Sequence, residues 1–414
     1  MIRKTLTLFI IGFCLTTYTF AQTFDENNPT NPYLNTITTA VPFLQIAPDS
    51  YSGGLGDQGV ATPVNANSQA HNPSKYVFSN NIFGFSISYS PWLKGLVSDI
   101  NLAYLAAYWK LTEMDALAFS LRYFSLGDIQ LTDYYGQPIA NRKPNEFALD
   151  FTYNRKLTKN FAMALTGRFI YSNLANDIEV GGSNMKPGLA GAADLSLFYQ
   201  DNFRVRGLEN TTLRFGLALT NVGNKVSYSD GSMTRNFLPT NLKLGLSYTM
   251  DFDGYNKLTV AGELGKLLVP TPPVVLKDSL GTPIYDEAGN YVYYGNGIDL
   301  DDISVFRGIL RSFYDAPGGF VEEMREISGS IGLEYSYRDL FFVRTGVFLE
   351  NAYKGNRKFI QVGAGVKYNI FAIDVCYLFP FTQRHPMENT LRFSITFDFE
   401  SFNSEAIKRQ GKLR

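Results

Sequence analysis

The sequence predicts an all-β fold: a transmembrane antiparallel β-barrel of about 14 strands, with an N-terminal periplasmic plug segment. Three observations support this prediction. Segments of about ten residues alternate apolar and polar side chains, as strands with one face toward lipid do. Aromatic residues make up 15% of the 414 residues, whereas charged residues make up only 18%. The connections between the alternating segments are short and long in turn, which is typical of barrels that cross an outer membrane.

The first residues are typical of an export signal. Arg3 and Lys4 give a positively charged start. The apolar run Leu6–Phe20 follows, and Ala21 completes a site at which a signal peptidase would cut. This run is too short and wrongly flanked for a stable membrane helix. Residues 1–21 are therefore expected to be a signal peptide.

The next segment, residues 22–80, shows no strand alternation and is rich in Gly, Pro, Asn and Ser. Its first part has the composition of a disordered leader. From Val41 onward, however, apolar residues such as Phe43 need burial. We therefore predict a plug folded into the lumen, with a short helix around Thr36–Leu44. The glycines from Gly53 onward do not follow a strand as a phosphate-binding loop requires, and are expected to let the backbone pass close to packed neighbours.

Residues 81–400 are expected to form the barrel, and residues 401–414 a C-terminal tail. The last strand shows the alternation best, because Phe393 and Ile395 face lipid while Arg392 and Ser394 face the lumen. An even number of strands places both chain ends on the same side of the membrane. Strands are predicted near residues 81–91, 99–111, 115–126, 145–157, 160–173, 190–201, 211–222, 240–252, 256–268, 326–338, 340–350, 357–369, 370–380 and 389–400.

The connections separate into two classes. Every second one is a tight turn or nearly so, as at Thr112–Met114 and Thr158–Lys159. The alternate connections are mostly long, and the longest covers residues 269–325. Short turns lie on the periplasmic side of outer-membrane barrels and long loops lie outside. A soluble β-sandwich would have no reason to segregate loop lengths in this way.

Charged residues at inward-facing positions include six acids and six bases. They are compatible with a water-filled pathway for an ionic solute. The favoured interpretation is that opposite charges on neighbouring strands pair and hold a plug or close the barrel, because a selective channel would show a bias of sign. The twelve residues are Asp150, Arg168, Asp194, Arg214, Lys243, Glu263, Glu334, Arg344, Lys367, Asp374, Arg392 and Asp398.

Several function classes find no support in the sequence. A net charge of −1 provides no electrostatic field for nucleic acid. If Cys14 leaves with the signal peptide, Cys376 is the single cysteine, so neither an internal disulfide nor a cysteine-based zinc site can form. His71 and His385 are the two histidines available for catalysis or metal binding. We therefore expect no enzyme activity, no cofactor and no metal site.

The long loop 269–325 contains candidate binding residues. A loop of this length is usually functional or disordered. Its aromatic residues suit a protein-binding surface, because aromatic anchors dominate interface energy. A lid folded over its own barrel is an equally open interpretation. The candidate residues are Tyr291, Tyr293, Tyr294, Phe313 and Tyr314.

The stretch Asn35–Phe78 carries a recognisable motif. It combines Pro-Phe-Leu, Pro-Asp, a Gly-Gly-x-Gly-Asp pattern and an Asn-Pro pair. In these features the chain resembles the PorV family, also called LptO, within the superfamily of FadL-like barrels, and the resemblance extends to about Phe399. The motif residues are Pro42, Phe43, Pro48, Asp49, Gly53, Gly54, Gly56, Asp57, Asn72 and Pro73.

This resemblance implies a type IX secretion system protein of the bacterial outer membrane. Such barrels bind the C-terminal domain of secreted cargo as it leaves the translocon barrel, and deliver it to an attachment complex with a PorU-like sortase. Outer-membrane lipid is the remaining implied partner. The alternative is a FadL-like transporter of hydrophobic small molecules. A third possibility for the family, lipid A deacylation, finds no residues here that would support a hydrolase.

Overall fold

The computed structural model describes residues 35–399, except 95–96, 98, 133–134, 175–178, 181–182, 230–234, 277–281, 287–288, 290, 294–302 and 383–384. The expected signal peptide, the C-terminal tail and Tyr294 lie outside the described residues. None of the described helices is long and apolar enough to span a membrane.

Fourteen antiparallel strands close into one barrel, which confirms the predicted fold class. Each strand pairs with the next one along the chain, and the first pairs with the last, with Ile87 opposite Ile395. The predicted strand ends all lie within two residues of the observed ones. The strands are β1 (Phe83–Pro91), β2 (Asn101–Lys110), β3 (Asp115–Ser125), β4 (Asn145–Lys156), β5 (Phe161–Asn173), β6 (Gly188–Phe203), β7 (Asn210–Gly223), β8 (Asn241–Asp251), β9 (Asn256–Leu267), β10 (Ile327–Tyr337), β11 (Phe341–Leu349), β12 (Lys358–Tyr368), β13 (Phe371–Pro380) and β14 (Leu391–Phe399).

The connections separate onto the two ends of the barrel as predicted. At the short-turn end, β10 and β11 are joined through Arg338 and Asp339, which both adopt positive φ as tight hairpin turns require. At the long-loop end, the chain between β3 and β4 forms a small hairpin from Ile129–Thr132 and Pro138–Arg142. The longest loop, between β9 and β10, contains the helices α2 (Val305–Arg311) and α3 (Phe320–Arg325).

The wall of the barrel has the predicted facing. In β14, Phe393 and Ile395 are 41% and 40% exposed, whereas Arg392 and Ser394 are buried. The alternation follows from the pleat of the strand, which turns successive side chains to opposite faces. Apolar side chains therefore point outward, where lipid surrounds the barrel, and polar ones point into the lumen.

The described part of the plug lies inside the barrel. It contains the helix α1 (Ser50–Gly54) and the 3-10 helices Pro42–Gln45, Ala66–Ala70 and Pro73–Phe78. It begins among the outer loops, where the Ala40 backbone N–H donates to the Phe237 carbonyl at 2.9 Å. From there the chain runs through the lumen to the short-turn end, where β1 starts.

The predicted helix around Thr36–Leu44 is wrong in most of its length. Only the 3-10 turn Pro42–Gln45 forms, and residues 35–39 contain no helix. Two local features oppose an α-helix here. The β-branched residues Thr36–Thr39 lose side-chain freedom in a helix, and Pro42 disfavours helical geometry in the residue before it.

Candidate functional site: the filled lumen and the outer loop helices

The plug backbone lies directly against glycines of the barrel wall. A Cβ atom on Gly346 would lie 2.1 Å from the carbonyl carbon of Leu55, and one on Gly216 would lie 2.2 Å from the carbonyl oxygen of Val60. No side chain fits at such distances, so these strand positions require glycine. The plug contributes its own glycine at Gly56, whose φ of +85° is unfavourable for other residues. The plug is therefore seated tightly in the lumen.

Asp49 organises the first helix of the plug. It is fully buried and caps α1, because its side chain accepts a hydrogen bond from the Ser52 backbone N–H at 2.8 Å. The Ser52 hydroxyl donates to the same carboxylate at 2.6 Å, and Nε2 of His71 lies 3.5 Å from it. The serine thus contacts the aspartate rather than the histidine. This arrangement stabilises the plug and contains no serine activated by a histidine.

Asn72 performs a similar task at the other end of the plug. Its side chain caps the helix Pro73–Phe78 by accepting from the Ser74 backbone N–H at 3.2 Å. Its amide group donates to the carbonyl oxygens of Val60 and Leu197, both at 2.9 Å. Pro73 occupies the first helical position, where its missing N–H costs nothing. Asn72 therefore joins two parts of the plug to the wall.

The remaining motif residues also lie in the plug. Phe43 follows Pro42 in the first 3-10 helix and stacks on Phe124, with ring centroids 6.1 Å apart. Arg122 of β3 donates to the carbonyl oxygens that end this helix, including that of Leu44 at 2.8 Å. Pro48 is buried directly before Asp49, and Gly53 and Gly54 are buried in α1.

Asp57 of the plug forms an ion pair with Arg392 of β14. Arg392 is 1% exposed and is among the largest fully buried side chains of the described chain. Charged groups are buried in proteins only when they are paired, because desolvation is costly. The last strand is thereby tied to the segment that precedes the first.

The other inward-facing charges pair mainly across neighbouring strands, as the favoured interpretation expected. Arg168 contacts Asp150 at 2.6 Å and Asp194 at 3.0 Å. Arg344 contacts Glu334 at 2.6 Å and Asp374 at 2.5 Å. Lys243 and Glu263 pair across neighbouring strands in the same way, whereas Lys367 of β12 pairs with Asp398 of β14, two strands away. Arg214 differs, since its described partners are Gln200 and Thr249.

Little free space is left beside the plug on the long-loop side. Two cavities there measure about 70 Å³ and about 40 Å³, and Asp57, Lys243 and Ile46 line both. Cavities of this size hold a few water molecules at most. These two cavities therefore offer no apolar chamber for a small molecule.

The helix α2 in the longest outer loop has Phe306 and Leu310 turned outward, whereas Val305 and Ile309 are half-buried. Phe306 is 72% exposed and Leu310 is 52% exposed, although both would be buried in an ordinary amphipathic helix. The face packed against the protein contains Gly308, where an added Cβ would lie 2.9 Å from the Phe237 ring. The helix therefore docks through Gly308 and the half-buried Val305, and presents Phe306 and Leu310 to the exterior.

The helix α3 shows the same inversion. Phe320 is 76% exposed, and Val321 and Met324 are also exposed, whereas Glu323 is buried. The exposed apolar residues of α2, α3 and the turn between them form one region of the loop, here named the loop apolar patch. It comprises Phe306, Leu310, Phe313, Tyr314, Phe320, Val321 and Met324.

Buried ion pairs hold this region to the barrel. Lys266 at the end of β9 contacts Glu323 at 2.9 Å and Glu326 at 2.6 Å. Lys354, between β11 and β12, contacts Glu322 at 2.5 Å and Glu326 at 2.9 Å. The acids of α3 thus face inward, toward lysines from two separate parts of the barrel.

Asp315 lies buried beside the same carboxylates. Its Oδ2 accepts from the Thr271 backbone N–H at 3.3 Å, and its Oδ1 has no hydrogen-bond partner within the described residues. Burial, with the nearby carboxylates of Glu323 and Glu326, raises the pKa of Asp315 to about 7. Protonation of this group is therefore coupled to the packing of the loop.

The structure distributes the predicted loop residues over two places. Phe313 and Tyr314, 50% and 59% exposed, belong to the loop apolar patch. The ring of Tyr291 packs at a tilt against that of Tyr285, with centroids 5.0 Å apart, and Tyr293 forms a β-bridge with Val275 in a separate part of the loop. A binding role for these residues stays a prediction.

Sequence reasoning missed Phe306, Leu310, Phe320, Val321 and Met324. One signal was available for α2, since Phe306 and Leu310 are four residues apart and so share one face of a helix. Helical spacing alone does not say whether that face is covered. The outward orientation becomes visible only with the packing of Gly308.

No group of three or more His, Cys, Asp or Glu side chains in the described part of the chain is placed to hold a metal ion. His71 is buried beside Asp49, while His385 lies in an outer loop, where its ring nitrogen accepts from the Met387 N–H at 3.2 Å. The expectation that the chain is not an enzyme stays a prediction.

Several solved structures of outer-membrane barrels are similar to this chain in fold. The Pseudomonas putida toluene transporter TodX is 11% identical, with 88% of this chain and 98% of that chain covered and a TM-score of 0.44. A Pseudomonas aeruginosa FadL homologue is 13% identical, with coverages of 88% and 99% and a TM-score of 0.41. The Ralstonia pickettii toluene transporter TbuX is 10% identical, with coverages of 85% and 98% and a TM-score of 0.45.

A search of curated proteins gave no match. The model of one protein family, described as type IX secretion system protein PorV, matches residues 29–274, which is more than half of the chain. This match includes the whole plug motif and the strands from β1 to β9. The chain therefore belongs to the PorV family, and is a bacterial outer-membrane component of the type IX secretion system.

Proposed function

We propose that this barrel binds the C-terminal domain of secreted cargo at the translocon and passes it to the surface attachment complex. The supporting observation is the loop apolar patch, in which seven large apolar residues of α2, α3 and the turn between them face outward. Several large apolar side chains exposed on one loop are a mark of a protein interaction site. The family supplies the class of partner, and the loop apolar patch supplies a place for it.

The patch is well suited to binding because it is held in position before a partner arrives. The ion pairs from Lys266 and Lys354 fix α3 on the barrel. The packing of Gly308 against Phe237 fixes α2. A surface that is already ordered loses little conformational entropy on binding, and this raises its affinity.

The filled lumen argues against the alternative function, a transporter of hydrophobic small molecules. Such a passage needs continuous apolar space, and apolar solutes gain nothing beside buried ion pairs. Here the plug backbone touches the wall at Gly216 and Gly346, and the charged side chains that face inward are largely paired. The remaining partners, the translocon barrel, a PorU-like sortase and outer-membrane lipid, stay part of the proposal.

The test is the double substitution Phe306→Ser and Phe320→Ser. Truncating aromatic anchors costs about 2 kcal/mol or more, so the dissociation constant for a purified cargo C-terminal domain should rise about thirtyfold or more. The barrel is expected to stay folded, as heat-modifiable migration in electrophoresis would show. Display of cargo on cells should fall in parallel.

The matched control is Tyr135→Ser, in the hairpin loop between β3 and β4. Tyr135 is 85% exposed, so its replacement tests whether any exposed outer aromatic matters. Normal binding by the double variant would refute the proposal and would leave lipid contact as the role of the patch. Equal losses in the double variant and the control would place binding on a wider surface.

A further inference from the structure

The first described residues of the plug form an extended segment at the long-loop end. Thr36, Ile37, Thr38 and Thr39 are four consecutive β-branched residues, the type that favours strands. Residues 35–39 contain no helix, turn or bend. Thr36 and Thr38 are exposed, whereas Ile37 and Thr39 are half-buried. This alternation has the period of two that a β-strand has.

The main chain of this segment is unpaired within the described part of the molecule. The Ala40 N–H donates to the Phe237 carbonyl, and this bond fixes the end of the segment. No backbone hydrogen bond to another described residue is formed by residues 36–39. Each of the fourteen barrel strands, by contrast, has a partner on both sides. An extended segment with free N–H and C=O groups is a template for a further strand.

The segment lies beside both helices of the loop apolar patch. Ile37 packs against a cluster that contains Phe237 and Ile303, and Val305 at the start of α2 packs against the same cluster. On the other side, the amide of Asn35 lies 3.5 Å from a carboxylate oxygen of Glu322 in α3. A protein docked on the patch would therefore meet the exposed residues Thr36 and Thr38.

We propose that residues 36–39 pair with a β-strand of the docked cargo domain through main-chain hydrogen bonds. This inference rests on the proposed function and adds the form of the partner, an extended polypeptide segment. In recognition by strand addition, main-chain bonds supply affinity without requiring a particular sequence. The loop apolar patch would then bind apolar side chains of the cargo domain, while residues 36–39 align the backbone of its strand.

Proline substitutions test the pairing. Thr36→Pro with Thr38→Pro removes two N–H donors that project from the same edge of an extended segment. Proline and the residue before it both favour extended geometry, so the segment keeps its shape. The matched control, Thr36→Val with Thr38→Val, keeps the N–H groups and the β-branched side chains. We expect the dissociation constant for the purified cargo C-terminal domain to rise about fivefold or more with proline, and less than about twofold with valine.

Hydrogen exchange provides a second readout that does not depend on any substitution. The amides of residues 36–39 should exchange rapidly in the free barrel and become protected when the cargo domain binds. Docking through the helices alone would leave them unprotected.

The two proposals can fail separately. If Phe306→Ser with Phe320→Ser abolishes binding while the proline variant binds normally and the amides stay unprotected, strand pairing is refuted and the docking function stands. If neither pair of substitutions changes binding, both proposals are refuted.

Discussion

The barrel wall and the loop apolar patch both expose large apolar side chains, and their surroundings give that exposure different meanings. In the wall, Phe393 and Ile395 are about two-fifths exposed and face the lipid that surrounds an outer-membrane barrel. In the patch, Phe306 and Phe320 are more than two-thirds exposed on a loop beyond the strands. The wall already has its apolar partner. The patch requires another one, which is why it is the candidate binding surface.

Buried charges provide a second contrast between the two regions. In the lumen, Arg344 of β11 is shared by Glu334 on the neighbouring strand β10 and Asp374 on β13, two strands away, and the network is fixed by the register of the sheet. In the loop, Asp315 lies beside the ion-paired acids Glu323 and Glu326 and forms no ion pair with a described residue. The first network is suited to permanent closure of the barrel. The second can respond to pH.

The largest effect is expected in the lumen, for Arg344→Met. The substitution leaves Glu334 and Asp374 buried without their cation, and breaking a buried pair in this way costs about 3–5 kcal/mol. The free energy of unfolding in detergent micelles, followed by denaturant titration, would measure the loss. Val343→Met is the control, because Val343 faces lipid and should change stability by less than about 0.5 kcal/mol. Equal losses at the two positions would show that the network does not hold the wall.

A smaller effect separates the wall from the patch directly. Ile395→Arg places a charge against lipid and should cost about 2–4 kcal/mol if the residue is near the bilayer midplane. Phe306→Arg, at a more exposed position, should change the free energy of unfolding by less than about 0.5 kcal/mol. Ile395→Leu is the control for a change of side-chain shape without a charge. A similar cost for both arginines, measured in lipid bilayers, would mean that the patch also faces lipid.

The smallest effect concerns the pH dependence of the loop. The pKa of Asp315 in the folded loop, about 7, lies above its ordinary value of 3.8. The folded loop therefore binds the proton of this carboxyl group more tightly than the detached loop does. Attachment of the loop should therefore weaken as pH rises from about 4 to about 7, and change little above that. Limited proteolysis of the loop at pH 5 and pH 7.5, corrected with a denatured substrate, would detect this. Asp315→Asn should remove the difference, and an unchanged difference would assign it to another group.

The sequence was sufficient for the barrel. Strand number, strand ends and facing all follow from the period-two alternation, which is local and is imposed by lipid on one side and water or plug on the other. The pairing of inward charges was also predictable in kind, because twelve such charges cannot remain isolated in a closed lumen. The plug was predictable because apolar residues such as Phe43 lie outside the strand pattern and still need burial.

Other features were decided by the tertiary structure alone. Asp57 and Arg392 are 335 positions apart, and only the closure of the barrel around the plug brings them together. Residues Thr36–Thr39 form no helix because their position beside the outer loops adds to a weak local preference. The outward orientation of Phe306 depends on the packing of Gly308 against Phe237. This contact joins segments distant in sequence and cannot be seen in a local pattern. Alternation along a strand is set by the surrounding medium and can be seen in the sequence, whereas contacts between distant segments exist only after the chain has packed.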